Sequence, residues 1–321
     1  MLAKTAVGIT IVILKFFTAP AAAATAAAAA AIAATAISTS YPDLVAVKGG
    51  SPVEMFERGI NELGGMQRFV KKGTVVLVKP NIGWNKTPTQ GANTNPELVG
   101  AIVKKAYEVG AKKVWVFDHP VDEEKACYKN SGIEAAVIQN GGIMHTANNE
   151  SDYVEREIPR AKFLKKVKVH KLYLESDVII NVPILKNHAG SKMTAAMKNL
   201  MGVVWDRRTW HEQGLHQCIA EFTLLKKVDL TIVDAYMVMM ANGPRGFSTE
   251  DLKPARMQLL STDMLLVDTA GAAILETAVN KIPSIEIAQK LGVGSSDLKK
   301  ANIKRIDMAA AAANVNSKVS L

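Results

Sequence analysis

The run Val75-Val-Leu-Val78 is followed directly by Lys79-Pro80-Asn81, and this stretch decides the fold class. A short, uninterrupted apolar run is typical of a strand that is buried on both faces of a parallel sheet. Apolar runs of the same kind lie at residues 44–47, 114–117, 178–180 and 230–233. Because amphipathic helical patterns separate these runs, the sequence predicts an α/β fold with a mostly parallel sheet and helices on both faces.

Local signals define the helices and the domain limits. Ser51, Pro52 and Glu54 form a capping-box pattern that predicts a helix from residue 52, and residues 192–201 predict a later helix. One α/β domain is expected over residues 41–310. Within it, the less regular segment 122–173, with its mixed-charge β-like pieces, predicts a small α+β subdomain, and residues 311–321 have the character of a tail.

The first forty residues differ in composition from the rest. Lys4 precedes a short apolar run, and after Lys15 an Ala-dominated tract continues to Ile37. This pattern is typical of a secretory signal or a membrane anchor. A hydrophobic N-terminal helix over residues 16–37 is long enough to span a bilayer, and its alanines equally suit packing against partner helices. We therefore expect a periplasmic protein, or one on the outer face of the cytoplasmic membrane, held to a membrane or membrane-protein complex through residues 1–40.

Composition excludes several functional classes. The net charge is +9, but lysine and arginine are spread along the chain, so we expect no nucleic acid partner and favour a small anionic ligand, an acidic partner or anionic lipid headgroups. Cys127 and Cys218 are the only cysteines. No cysteine-bound iron–sulfur cluster or covalently attached haem is therefore expected, and the two cysteines form either one disulfide or two buried single thiols.

Polar residues follow four of the predicted strands at the point where each apolar run ends. In an open parallel sheet the carboxyl ends of the strands lie along one edge, where ligands bind. Taken singly, each of these residues also fits a turn or a helix cap. Taken together, they predict ligand-binding roles for Lys79, Asn81, Asp118, Asn181 and Asp234.

The densest polar stretch runs from Asn181 to Gly202. Lys186 and His188 are expected in a loop after the strand, and we predict them as the catalytic pair because histidine exchanges protons near neutral pH. The following helix is expected to carry Thr194, Lys198 and Asn199 as further ligand-binding residues. Their arrangement would suit a carboxylate or a phosphate near a helix N-terminus, although Lys198 also fits a solvated helix face.

Metal binding has weaker sequence support. His211 and His216 are five residues apart, so they do not share one helix face, and a metal site would need a loop or help from His188. Arg207 and Arg208 fit either a bidentate clamp on an anion or a solvated surface. No nucleotide-binding, serine-hydrolase or zinc-protease motif is present. A cofactor is therefore not assigned.

Several motifs together resemble the domain-of-unknown-function family 362 over about residues 44–308. They are Val78-Lys-Pro-Asn-Ile-Gly-Trp84, Ala92-Asn93-Thr-Asn-Pro-Glu97, Asn181-Val-Pro183, Lys186-x-His188, Met197-Lys-Asn-Leu-Met-Gly202 and Asn242-Gly-Pro244. Asn93, which lies within these motifs, is predicted as a further ligand-binding residue. Similar members commonly carry a twin-arginine export signal, which this chain lacks, and others are fused to ferredoxin-like cluster domains.

The family also resembles the N-terminal part of the lactate racemase apoprotein, whose site uses histidine and lysine around a nickel-pincer nucleotide. This relation favours Lys186 and His188 as site residues but transfers no reaction, because a shared fold does not carry chemistry. Two hypotheses follow. The first is an exported, membrane-associated protein with an anion- or metal-binding crevice, and the second is a non-catalytic accessory subunit on the outer face of a membrane complex.

Overall fold

A ten-stranded sheet lies at the centre of the structure, a computed structural model that describes residues 40–310. Its strands are β1 (Leu44–Lys48), β2 (Val75–Pro80), β3 (Lys113–Val116), β4 (Ile143–Met144), β7 (Val178–Val182), β8 (Ile184–His188), β9 (Lys192–Thr194), β10 (Leu230–Met239), β11 (Leu252–Ser261) and β12 (Ile303–Asp307). A separate two-stranded sheet contains β5 (Tyr153–Glu157) and β6 (Lys166–His170).

The main sheet is mixed but mostly parallel. Eight strands lie in the order β12-β1-β11-β10-β7-β2-β3-β4, and the hairpin β8-β9 branches from β10. In the parallel centre, Leu77 of β2 lies opposite Trp115 of β3 and Ile179 of β7. Strand β11 runs antiparallel to both β1 and β10, so those two strands point the same way as β2 and β7. The predicted α/β class with a mostly parallel sheet is confirmed.

Helices cover both faces of the sheet. They are α1 (Pro52–Glu62), α2 (Pro96–Glu108), α3 (Glu124–Asn130), α4 (Ile133–Gln139), α5 (Lys171–Glu175), α6 (Ala196–Asn199), α7 (Arg208–Gln213), α8 (Leu215–Phe222), α9 (Met264–Ile274) and α10 (Pro283–Leu291). Alternate residues of β2 enter different apolar cores, with Val76 and Val78 on the side of α1 and α2 and Leu77 on the side of α8, α9 and α10. The two cores explain why the central strands are apolar without alternation.

Capping side chains mark the first residues of helices α1 and α2. The hydroxyl of Ser51 accepts a hydrogen bond from the Glu54 backbone N–H, and the Glu54 carboxylate accepts one from the Ser51 backbone N–H. Asn95 caps α2 in a similar way through the backbone N–H of Leu98. These caps satisfy N–H groups that have no partner within the helix, and they agree with the sequence pattern.

The structure corrects three local predictions. Lys186 and His188 lie on strand β8 rather than in a loop. Residues 192–201 are not one helix, because β9 carries Thr194 and the short helix α6 starts only at Ala196. Strand β10 does not end before Asp234 but continues to Met239. In each case tertiary pairing in the sheet overrides the local pattern, since β8 pairs with both β9 and β10.

Some predictions fall outside the described residues. The predicted signal or anchor helix lies in residues 1–39, and the predicted tail in residues 311–321. Within residues 40–310, no helix combines the length and the apolar character needed to cross a bilayer. Cys127 and Cys218 are buried and free, so the interpretation as two single thiols is confirmed.

Candidate functional site

A crevice of about 240 Å³ opens at the carboxyl end of the parallel strands. Strand β2 leads into it at Asn81 and strand β3 at Asp118, and β8 and α6 form the facing wall. The sequence-predicted residues that line it are Asn81, Asp118, Lys186, His188, Thr194, Lys198, Asn199 and His211. The position agrees with the general rule that ligands bind at this edge of an α/β sheet.

Lys79 and Asn199 form the floor behind the crevice. The Lys79 ammonium is fully buried, where it donates hydrogen bonds to the Pro80 carbonyl (2.6 Å) and to Asn199 Oδ1 (3.2 Å). Lys79 Nζ also forms an ion pair with Asp118 Oδ1, at 2.9 Å. Lys79 therefore has three polar partners and no position left for a ligand. Asp118 is held in place by Lys79 and by the Ile82 backbone N–H, which donates to Asp118 Oδ2 (2.6 Å).

The Asn199 amide joins the ends of strands β2 and β7. Its nitrogen donates to the Lys79 carbonyl (3.0 Å) and to Asn181 Oδ1 (2.8 Å), and its oxygen accepts from Lys79 Nζ and Asn81 Nδ2. Because all four hydrogen-bonding positions of the amide are used, Asn199 fixes the geometry of the floor. Asn181 is fully buried behind this network rather than exposed to the crevice.

Lys186 lines the crevice with an incompletely bonded ammonium. Its Nζ donates to Asn81 Oδ1 (3.0 Å) and to the Ala92 carbonyl (2.6 Å), which leaves one position on the nitrogen without a partner in residues 40–310. Both acceptors are neutral. Burial lowers the pKa of Lys186 to about 7, and the nearby charge of Lys198 acts in the same direction. A neutral Lys186 amine would keep both hydrogen bonds and still carry a free lone pair.

Lys198 is the least satisfied cation of the site. The Met201 thioether, at 3.5 Å, is the only hydrogen-bond partner of Lys198 Nζ among the described residues. Burial and the neighbouring Arg207 guanidinium lower the pKa of Lys198 to about 8. Arg207 also lines the crevice and donates to the carbonyls of His119 and Pro120. Since a sulfur atom is a weak acceptor, Lys198 is available to a ligand.

The charge around the crevice is unbalanced. Three cationic side chains line it, the buried Lys186 and the half-buried Lys198 and Arg207. Asp118, which is already paired with Lys79 behind the crevice, is the one acidic side chain among its described lining residues. Burying a charge without a partner is costly, so the site is electrostatically complementary to an anion.

His188 presents a donor, not an acceptor, to the crevice. Its Nδ1 accepts hydrogen bonds from the backbone N–H groups of Gly190 (3.1 Å) and Ser191 (3.2 Å). The neutral ring therefore carries its proton on Nε2. Burial, followed by the charges of Lys198 and Lys186, holds the pKa of His188 far below its usual value. The predicted role as a proton acceptor does not fit this geometry, because Nδ1 is occupied and Nε2 is already protonated.

Other predicted residues lie elsewhere. Asp234 faces a separate small cavity with Asn93, and its carboxylate accepts hydrogen bonds from the backbone N–H groups of Asn95 (2.8 Å) and Tyr236 (3.0 Å). Asn93 itself bonds the backbone of Trp84. The placement of Asp234 at the crevice was wrong because β10 is longer than predicted, so Asp234 lies within the strand instead of at its end.

The three histidines proposed for a metal do not form a ligand set. His211 stacks on His188 with 6.2 Å between ring centroids, and His216 does not line the crevice. Among residues 40–310, a different trio, His145, Asp152 and His170, is the one group of three ligand-type side chains with atoms within 4.8 Å of one another.

Two supporting residues escaped prediction. Asp268 on α9 is buried, and its carboxylate accepts hydrogen bonds from the backbone N–H groups of Ala196 (2.5 Å) and Met197 (3.1 Å), which start the helix that carries Lys198. The Gly202 backbone lies so close to the Asp118 carboxylate that a Cβ on Gly202 would be 1.7 Å from Asp118 Oδ1. Neither residue gives a local sequence signal, since each acts on a partner that is distant in the chain.

Fold and site together define an α/β protein with a cation-rich crevice at the carboxyl edge of a mostly parallel sheet. The chain belongs to the family described as Domain of unknown function (DUF362), which matches residues 76–273. The family membership inferred from the sequence motifs is thereby confirmed.

The relatives give few further details. The chain is 25% identical over 261 residues to a protein of Synechocystis sp. named Thylakoid-associated protein, and the match covers 77% of each chain. Among solved structures, it is similar to the lactate racemase apoprotein from Thermoanaerobacterium thermosaccharolyticum, with 13% identity and a TM-score of 0.40 over 66% of this chain and 53% of that one. A Thermotoga maritima protein gives 14% identity and a TM-score of 0.42, over 75% and 60% of the two chains. This chain thus spans little more than half the length of those two structures.

Proposed function

We propose that this protein binds a small anionic ligand, a carboxylate or a phosphate compound, in the crevice. The observation that carries the proposal is the Lys198 ammonium, which is half-buried beside Lys186 and Arg207 and has only a thioether as its partner within residues 40–310. An anion would supply the missing acceptors and offset the unbalanced charge. Arg207 and the Nε2–H group of His188 would donate to the same ligand.

Lys186 is the group best suited to move a proton. Its pKa near 7 and its free position on Nζ allow it to act as an acid or a base at neutral pH. Under this proposal His188 orients an oxygen of the ligand through Nε2–H, and Lys186 exchanges the proton. The predicted catalytic pair is thus kept, with the two roles assigned by their hydrogen bonds.

The experiment compares Lys198→Met with Lys299→Met, an exposed lysine with the same loss of charge. Phosphate, pyrophosphate and small mono- and dicarboxylates are titrated into each protein and followed by calorimetry and thermal unfolding. Lys198→Met should unfold at a higher temperature than the parent without ligand, because a half-buried charge without an acidic partner is removed, and should lose the stabilisation by anions. Equal stabilisation of both variants by anions would contradict the proposal.

We also propose that the protein is exported and associates with a membrane through residues 1–40. The name of the Synechocystis relative, a thylakoid-associated protein, supports membrane association. Fractionation of cells that express the full chain, with carbonate and high-salt washes of the membranes, tests the association. Protease added from the outer side then tests the orientation. Recovery of the full chain in the washed soluble fraction would argue against an anchor.

A non-catalytic accessory subunit of a membrane complex is the second candidate, and it shares with the first the membrane association that the relative's name suggests. It predicts that the full chain, extracted in mild detergent, migrates with other membrane proteins on native gels. It also predicts that Lys198→Met and Lys186→Met leave that migration unchanged. Migration as a single chain would argue against the accessory subunit and favour a ligand-binding protein that acts without a membrane-protein partner.

A further inference from the structure

A second cluster of chemically active side chains lies away from the crevice. His145 follows β4, Asp152 precedes β5, and His170 ends β6, and one ligand atom from each lies within 4.8 Å of the others. None of the three lines the crevice. The cluster therefore joins an edge of the main sheet to the separate two-stranded sheet.

Each of the three side chains has a potential ligand atom that accepts no hydrogen bond within residues 40–310. His145 Nδ1 lies 2.6 Å from the Thr146 carbonyl and donates to it, so His145 Nε2 keeps its lone pair. This arrangement, with one ring nitrogen bonded to a backbone carbonyl, is usual for metal-binding histidines. The Asp152 carboxylate accepts no hydrogen bond from residues 40–310. His170 is 1% exposed, and its Nε2 is buried without a well-formed hydrogen bond in the described chain, with the Thr146 backbone beside the ring.

We propose that His145, Asp152 and His170 bind a divalent transition metal ion of the zinc type. Two imidazole nitrogens and one carboxylate oxygen, without a thiolate, suit zinc and its first-row neighbours rather than calcium or magnesium. Three protein ligands leave a fourth position for water. With bonds of about 2.1 Å, tetrahedral ligands stand roughly 3.4 Å apart, so no pair of ligand atoms in the cluster needs to approach by more than about 1.4 Å. His145 and Asp152 are half-buried and can move.

One existing hydrogen bond opposes binding. His170 Nδ1 accepts from the Leu172 backbone N–H (3.1 Å) at the start of α5, so the metal-free ring carries its proton on Nε2. When Nε2 binds a metal, that proton must move to Nδ1 and the helix loses this cap. Losing such a cap weakens the affinity by about tenfold. A site with three protein ligands can tolerate this, because metal affinities of protein sites span many powers of ten.

The bound metal would act on the crevice through an aromatic contact. The Tyr153 ring lies 4.9 Å from the His170 ring and 5.9 Å from the His119 ring, measured between centroids, and His119 lines the crevice. Fixing β5 and β6 against the end of β4 would thus hold one wall of the crevice. We assign the metal a structural role, with no part in the proton exchange at Lys186.

The experiment uses the untagged full chain after removal of metal by a chelator. Zn²⁺ is titrated by calorimetry, and Co²⁺ is titrated as a probe whose visible spectrum reports nitrogen and oxygen ligands. We expect one equivalent to bind and the unfolding temperature to rise with metal concentration. His145→Gln and Asp152→Asn, two changes at half-buried positions, should each weaken binding by at least about a hundredfold.

The double variant His211→Gln/His216→Gln is the matched control, because it removes two histidines outside the cluster. It should bind metal like the parent. The proposal is overturned if the parent binds no stoichiometric metal below about 100 µM. It is also overturned if His145→Gln and Asp152→Asn bind like the parent, or if the control variant alone loses binding. Since the readout is metal binding, anion binding in the crevice can succeed or fail independently.

Discussion

Replacing Gly202 with alanine tests the close contact beneath the crevice. A Cβ at this position would lie 1.7 Å from Asp118 Oδ1 and 2.8 Å from Lys79 Nζ, whereas side-chain carbons do not approach such atoms within 3.0 Å. Asp118 would have to move by more than about 1 Å, yet Lys79 and the Ile82 backbone N–H hold its two oxygens. Breaking a buried ion pair of this kind costs about 3–5 kcal/mol.

The expected result is a large loss of stability. For a domain of this size, each kcal/mol lowers the unfolding temperature by about 2–4 °C, so Gly202→Ala should lower it by about 6–20 °C. Circular dichroism during thermal and urea unfolding measures the change. Gly202 does not adopt a positive φ, so backbone strain does not contribute to the loss.

Gly83→Ala is the matched control. Gly83 lines the same crevice and also lacks a positive φ, but a Cβ there would come no closer than 4.0 Å to Asn81. Its unfolding free energy should stay within about 1 kcal/mol of the parent. If Gly202→Ala unfolds within about 1 °C of the parent, Asp118 can move to make room for a Cβ and the reasoning is refuted. Equal losses in the two variants would refute it as well.

Three further predictions concern the same site. Asn199→Leu removes an amide with four hydrogen bonds and should lower the free energy of unfolding by at least about 3 kcal/mol in urea titrations. The pKa of Lys186 is lowered to about 7, so above that pH the native state binds fewer protons than the unfolded chain. The free energy of unfolding should therefore rise from pH 7 towards pH 10, and Lys186→Met should flatten this rise. Anion affinity should instead fall between pH 6 and pH 9 in calorimetric titrations, as Lys186 and Lys198 lose their charges.

The sequence predicted the centre of the sheet well, for a physical reason. Strands β2 and β7 are buried on both faces, and an apolar run such as residues 75–78 has few other stable environments. The first residues of α1 and α2 were equally predictable from the sequence, because capping depends on residues within one helical turn. Edge strands were not predicted. Strand β12 reads Ile-Lys-Arg-Ile-Asp, and its place beside β1 depends on pairing across the whole chain.

The site was predicted in part. Asn81 and Asp118 follow apolar strands directly, so their position at the sheet edge could be inferred from the pattern. Strand β8 was missed because its polar residues face a crevice, and Lys186 and His188 therefore gave it the appearance of a loop. Asp268 supports Lys198 through bonds that span more than seventy residues of sequence, a distance that local patterns do not report.

The direction of β1 determines how the molecule would stand on a surface. Strand β1 points the same way as β2 and β7, so the chain enters the sheet, from Ser40, at the edge opposite the crevice. If residues 1–40 tether the protein to a bilayer, the sheet edge nearest to the lipid would be the one without the ligand site. The crevice would then open towards the surrounding water, and its ligand would arrive by diffusion through the aqueous compartment rather than laterally from the lipid.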